Sequence, residues 1–185
     1  AACCKLRPTM TRRFGLGPQI FDCRAIRFEE ATFRMKRSLP VRRRLPHDVP
    51  AWVPEAATFF ITINCKERGR AQISKDPVAR ALLESVAFYQ SSGKWWCHLF
   101  LLMPDHLHGL FIFPRQLQMR QIIASWKSYH ARRNGIVWQD GFFDHRIRND
   151  DEFQEKAAYI RNNPVRAGLV ETAADWPYQY ECPRN

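Results

Sequence analysis

Two stretches of this chain carry side chains from which phosphate chemistry could be built. The first, LMPDHLHGLFIF from Leu102 to Phe113, sets His106 and His108 one residue apart. The second, YIRNNP from Tyr159 to Pro164, follows about fifty residues later. Leucine, isoleucine and phenylalanine crowd the flanks of the histidines, which favours a buried strand. Alternate side chains of a strand share a face, so the two imidazoles project together while Leu107 enters the core. Paired imidazoles on a rigid strand are half of a divalent-metal site. An isolated pair of this kind has an ordinary explanation as surface or hydrogen-bonded histidines. The second stretch shifts the balance. Tyr159 and Asn163, four residues apart on a helix, share one face a turn apart, with Ile160 on the opposite, buried side. If that face lies over the histidine strand, Asn163 Oδ1 completes a His, His, Asn site beside the Tyr159 hydroxyl.

Such a site suits attack on a phosphodiester. A phenol holds its proton at neutral pH and is a poor nucleophile unaided. A cation on a phosphate oxygen polarises the phosphorus and orients the scissile bond. Two neutral imidazoles and an amide leave the cation its full charge and leave positions open for substrate. Imidazoles suit zinc or manganese, whereas magnesium prefers oxygen, so ligand chemistry leaves the metal open. Standing alone, Tyr159 would read as an amphipathic core residue.

The elements that must position these residues follow from pattern. Thr58 to Cys65, TFFITINC, is β-branched and aromatic and reads as the first strand. Arg68-Gly69-Arg70 reads as a turn with exposed charge. Asp76-Pro77 opens a helix, with Asp76 as N-cap and Pro77 at the first helical position; Val78, Leu82, Val86 and Tyr89 keep helical spacing, and Gly93 ends the unit. Trp95 to Leu102 is a second strand, turning at Pro104-Asp105 into the histidine strand as an antiparallel hairpin. Leu117 to Arg133 is a second helix with Ile122, Ile123, Trp126 and Tyr129 as its apolar stripe, terminated by Gly135. A short strand lies around Phe143 to Ile147. Asn149 caps a third helix, with Glu152 completing a capping-box-like arrangement, and Phe153, Ala157 and Ile160 facing the core. Asn163 precedes Pro164, so this helix should end there. The tail, with Trp176-Pro177-Tyr178, packs back over the domain. The order βαββαβ plus a final helix predicts an α+β fold: a ferredoxin-like antiparallel sheet with helices on one face and a C-terminal catalytic helix added.

Composition narrows the class. The chain has 185 residues and a net charge of +11. Residues 1–50 hold 12 Lys/Arg against 4 Asp/Glu, and residues 51–185 hold 17 against 14. The basic surplus therefore sits in an N-terminal extension, 1–50, expected to be largely flexible and suited to a polyanion, ahead of a folded domain, 51–185. Met35 is a candidate native start within that extension. No apolar run approaches a membrane span of about 20 residues, and residues 1–30 lack the apolar core of a signal peptide. Cys3, Cys4, Cys23, Cys65, Cys97 and Cys182 form no CxxC pair, which points away from a zinc ribbon or disulfide framework and towards a reducing cytoplasm.

MPDHLHGL resembles the histidine–hydrophobic–histidine (HUH) motif of single-tyrosine transposases. The run GIVWQDGFFDHRIRNDDEFQEKAAYIRNNPVRAGLV is similar to the C-terminal signature of the same IS200-like group, especially the branch associated with repetitive extragenic palindromes (REP). RRLPHDVPAW and FFITINCKERGR resemble that branch's N-terminal region, so the likeness spans roughly residues 42–180. The resemblance implies a bacterial, cytoplasmic and nucleoid-associated single-stranded DNA endonuclease and strand transferase acting beside DNA hairpins. By motif position Tyr159 is the nucleophile, forming a 5′-phosphotyrosine link and a free 3′-hydroxyl. His106 and His108 are metal ligands for Mg²⁺ or Mn²⁺. Asn163 holds the third-ligand position, where other branches carry Gln. Members of the group act as monomers or homodimers.

Substrate contacts are expected from Arg161 and Arg166 near the site, from Arg120, Lys127, Arg132 and Arg133 on the second helix, and from Arg42, Arg43 and Arg44 as an added clamp. Contacts of this kind hold DNA without choosing its sequence. Phe142, Phe143 and Trp138 are candidates to keep water from the site, and Asp144 and His145 to contact DNA or orient a ligand. Two other readings compete: a hydrolytic metal phosphoesterase with a structural Tyr159, and a domesticated, non-catalytic hairpin-binding protein.

Overall fold

The structure, a computed structural model, describes residues 51–182. The expected flexible extension, Met35 and the Arg42 to Arg44 cluster lie outside the described residues. Within them the elements run β1 (Thr58–Asn64), α1 (Val78–Ser91), β2 (Trp96–Leu102), β3 (His106–Ile112), α2 (Met119–Asn134), β4 (Phe143–Arg146), α3 (Asp150–Arg166), a 3-10 turn (Ala173–Asp175) and β5 (Gln179–Glu181). The five strands form one sheet in the order β4-β1-β3-β2-β5, and every pairing is antiparallel. The first four strands reproduce the expected βαββαβ arrangement. The fifth was read only as a tail that packs back, and it does so by pairing with β2 and by donating Trp176 Nε1 to the Leu102 carbonyl at 2.8 Å.

Helices cover both faces of the sheet. Ala79, Leu82 and Val86 of α1 and Met119, Ile122, Ile123 and Trp126 of α2 pack with Phe59, Ile61 and Leu107. Phe153, Ala157 and Ile160 of α3 pack on the opposite face with Phe60, Leu99, Leu101 and Leu110. Each α3 residue expected to face a core does so, but that core is the second one. Leu107 is fully buried between the histidines, and removing such a side chain from water stabilises the fold by about 2 kcal/mol. The alternation that sinks Leu107 therefore directs His106 and His108 towards α3.

Several local expectations are corrected. Helix α1 begins at Val78 with no side-chain cap, and the exposed Asp76 pairs with Arg80 one turn on. In α2, Tyr129 is 49 % exposed and His130 is buried in its stead, because the stripe turns by one position towards Ser85 of α1. Asn149 caps α3 by accepting from Glu152 N at 2.8 Å, but Glu152 Oε2 accepts from Arg148 N and not from Asn149 N. Helix α3 runs past Pro164 to Arg166. Proline's steric restriction is tolerated in the last turn, where Pro164 itself is buried. Gly168, at φ 67°, ends the helix with bonds from its N–H to the Val165 carbonyl and from Leu169 N to the Pro164 carbonyl.

Candidate active site

Strand register assembles the site. Residues directly opposite in an antiparallel pair project to the same face. Thr62 of β1 lies opposite His108 of β3 on one side and Phe143 of β4 on the other, while Phe60 lies opposite Leu110 and His145. His106, His108, Phe60, Thr62, Phe143 and His145 thus share the face covered by α3. Tyr159 projects from α3 onto this row. Its ring centroid is 5.6 Å from that of His108 and 6.2 Å from that of Phe60. The two imidazoles are 4.9 Å apart, and His108 stacks on Phe60 at 5.5 Å. Phe60, Thr62, His108, Phe143, His145, Lys156 and Tyr159 line an open pocket of about 470 Å³.

Each histidine is held through the same ring nitrogen. His106 Nδ1 lies 2.6 Å from Asp105 Oδ1, and His108 Nδ1 lies 2.9 Å from Thr62 Oγ1. Asp105 is itself fixed by Gly69 N at 2.6 Å and by Arg68 Nε at 3.2 Å. With Nδ1–H donating to these oxygens, each ring keeps the Nε2 lone pair for another partner. His108 Nε2 is buried and has no hydrogen-bond partner among the described residues. A buried polar atom without a partner is costly, and a metal ion would supply one. Burial pushes the His106 imidazole below its ordinary pKa against the pull of Asp105. Burial, with the neighbouring His106 and Arg68, takes His108 down to about 3. Both rings are neutral at physiological pH, the form that ligates a cation. Burial works against the charge on Asp105, but the bonds from His106 and Gly69 and the Arg68 charge hold its carboxyl below the usual range.

Asn163 stands one turn beyond Tyr159, and its Nδ2 donates to the Tyr159 carbonyl at 3.0 Å. It has no hydrogen bond to either imidazole. That bond leaves Oδ1 as the amide's open acceptor. Arg166 places its guanidinium over the Tyr159 ring, 5.2 Å from the centroid. Arg161 is engaged elsewhere, in an ion pair with Glu181 of β5. The basic residues of α2 do not converge on the site, because α2 covers the other face of the sheet. Arg120, Arg132 and Arg133 are exposed there, Arg132 donates to Ser128, and Lys127 is spent on the carbonyls of Gln139 and Gly141 at 2.7 and 2.6 Å.

The aromatic cluster expected to exclude water divides in two. Trp138 and Phe142 pack with the first core, and only Phe143 reaches the pocket. Asp144 lies opposite Ile61 and faces away, whereas His145 lines the pocket with Nε2 2.5 Å from Glu152 Oε1. Sequence reasoning missed Asp105, Thr62, Arg68 and Lys156. Lys156 precedes Tyr159 by three positions, so helical spacing places it on the same face. Asp105 adjoins the histidine motif. Thr62 and Arg68 became visible only with the β1–β3 register and the loop that follows β1.

The residues from 58 to 163, which include His106, His108, Tyr159 and Asn163, match the family model described as "Transposase IS200 like". An Escherichia coli K12 REP-associated tyrosine transposase is 25% identical over 129 residues, covering 67% of this chain and 76% of the relative. A Haemophilus influenzae relative whose name places it in the same group is 35% identical over 147 residues, covering 65% of this chain and 77% of its own. Among solved structures, that of a REP-associated tyrosine transposase bound to a REP hairpin superposes with a TM-score of 0.58 at 22% identity, over 71% of this chain and 81% of the other. The fold is shared. The histidine pair, the tyrosine helix and the match across more than half of the chain agree: this protein is an enzyme of the IS200-like transposase family.

Proposed function

We propose that the protein cleaves and rejoins single-stranded, hairpin-bearing DNA with Tyr159 as nucleophile. The observation that carries this reading is the Tyr159 ring set 5.6 Å from a histidine whose buried Nε2 has no hydrogen-bond partner among the described residues. His106 and His108, through Nε2, and Asn163, through Oδ1, would hold Mg²⁺ or Mn²⁺. When bound, the ion supplies a Lewis acid for a phosphate oxygen.

The chain's own residues supply the rest. Thr62 and Asp105 keep both imidazoles oriented, and Arg166 stabilises negative charge beside the phenol. The Tyr159 oxygen attacks the backbone phosphorus, a 5′-phosphotyrosine bond forms, and the bond to the 3′-oxygen breaks, leaving a 3′-hydroxyl. Attack by a 3′-hydroxyl on the same phosphorus reverses the step without ATP, since the phosphoester is conserved. The hairpin in the solved relative's complex supports hairpin DNA as the partner of this chain also. The test is incubation of hairpin-containing single-stranded DNA with Mn²⁺. A protein–DNA adduct that survives denaturing electrophoresis and maps to Tyr159 is expected. Cleavage to a free 5′-phosphate by a Tyr159→Phe variant would replace this reading with metal-assisted hydrolysis.

A further inference from the structure

Phe143 is 54 % exposed although it sits in a strand. One exposed apolar residue is ordinary, but three observations set this one apart. It lines the same pocket as Tyr159 and His108. It is held rather than free, with its ring edge-on to Phe60 at 6.2 Å. The register places it in a row with Thr62 and His108, two strand spacings from the imidazole, on the order of 10 Å. The pocket is thus longer than a phosphate at His108 requires. The same pocket is lined by two polar groups, the His145 imidazole, held by Glu152, and the Lys156 ammonium, which lies 2.9 Å from Glu155 Oε1.

We propose that the Phe143 end of the pocket is a nucleobase subsite. An unstacked base of the single strand adjoining the reacting phosphate lies on the Phe143 ring, and Lys156 meets the backbone phosphate between them. The proposal rests on the reading that single-stranded DNA crosses this face to reach Tyr159. Its physical logic is that every base has a π-face, so stacking secures the strand without selecting its sequence. A base anchored about two strand spacings from the imidazoles also fixes which phosphate lies under the phenol. A lysine provides charge complementarity for one further phosphate.

The test uses the full chain and a fluorescent hairpin oligonucleotide with oligothymidine flanks, at one fixed salt concentration. Phe143→Ala should weaken binding by about five-fold or more, Phe143→Tyr should bind as the wild type does, and Phe143→Leu should behave like the alanine variant. Replacing the flanking bases with abasic sites should weaken the wild type by a similar factor and leave Phe143→Ala little changed. With 5-iododeoxyuridine in the flank, irradiation should crosslink the strand to the peptide containing Phe143. Equal affinities for wild type and Phe143→Ala, or crosslinks confined to other peptides, would overturn the subsite. Adduct formation in Mn²⁺, assayed on the same oligonucleotides, separates the two proposals. An adduct with no Phe143 dependence removes the subsite alone, and a Phe143-dependent affinity without any adduct removes the tyrosine chemistry alone.

Discussion

The two faces of the sheet treat a buried histidine in opposite ways. On the α1–α2 face, His130 is fully buried and both ring nitrogens are used: Nε2 lies 2.8 Å from Ser85 Oγ and Nδ1 lies 2.7 Å from Asn134 Nδ2. Trp126 Nε1 donates to the same hydroxyl at 2.8 Å, which ties α2 to α1. On the α3 face, His108 is buried and anchored through Nδ1, but its Nε2 has no hydrogen-bond partner among the described residues. The first arrangement closes a polar network and serves stability. The second withholds one hydrogen bond and keeps a lone pair for a ligand. Burial alone therefore does not fix how these two rings are used; at each position the surroundings of the second nitrogen do.

The largest expected effect tests the α3 face. Tyr159 is 39 % exposed, so Tyr159→Phe should leave the thermal midpoint nearly unchanged while adduct formation falls by on the order of 10³-fold or more. A parallel loss of folding would erase the contrast between the faces. Next comes the opposite face. His130→Ala should destabilise the fold by about 2–3 kcal/mol, because it opens a cavity and removes the acceptor of Asn134 Nδ2. Denaturant titration would measure it, and the folded fraction should still bind Mn²⁺. A smaller effect is expected from Thr62→Val, which removes the partner of His108 Nδ1. Mn²⁺ affinity by calorimetry should fall by roughly ten-fold, within the range typical of residues that orient a metal ligand.

The last effect concerns pH. Burial lowers the His130 pKa from 6.5 to about 4. Because its folded pKa lies below its unfolded one, the unfolded chain binds the extra proton between those values. His130 thus contributes its full stability above about pH 6.5, and this is lost as pH falls towards 4. Protonation would also remove the acceptor that Asn134 uses. His130→Gln should flatten the pH dependence of the unfolding midpoint over that window, and a slope unchanged by the substitution would show that His130 takes up its proton equally in the folded and unfolded states. The same buried-neutral condition holds for His108, so acid should weaken both faces, by different routes.

Much of this molecule was legible before its coordinates. The alternation around Leu107 placed both imidazoles on one face, and the four-residue spacing placed Tyr159 and Asn163 on another. These relations depend only on the local repeat of strand and helix. The Asn149 cap was visible for the same reason. The side of the sheet that α3 covers was not, because an amphipathic helix announces that it has a buried stripe but not which surface receives it. The basic residues of α2 were assigned to DNA from their charge and the nearby Trp126 and Tyr129, and α2 covers the opposite face. Tyr129 and His130 are adjacent on the helix, and only the position of Ser85 on α1 decides which is buried.

Sequence alone thus determined the residue types of the site, the order of its elements and the pairs that share a face, since those follow from backbone periodicity over a few residues. Tertiary structure decided what stands opposite each of them: Thr62 beneath His108, Tyr159 above it, and Phe143 at the end of the row. Those neighbours are set by pairings between residues up to about a hundred positions apart, whose register depends on the packing of the entire sheet rather than on any local pattern.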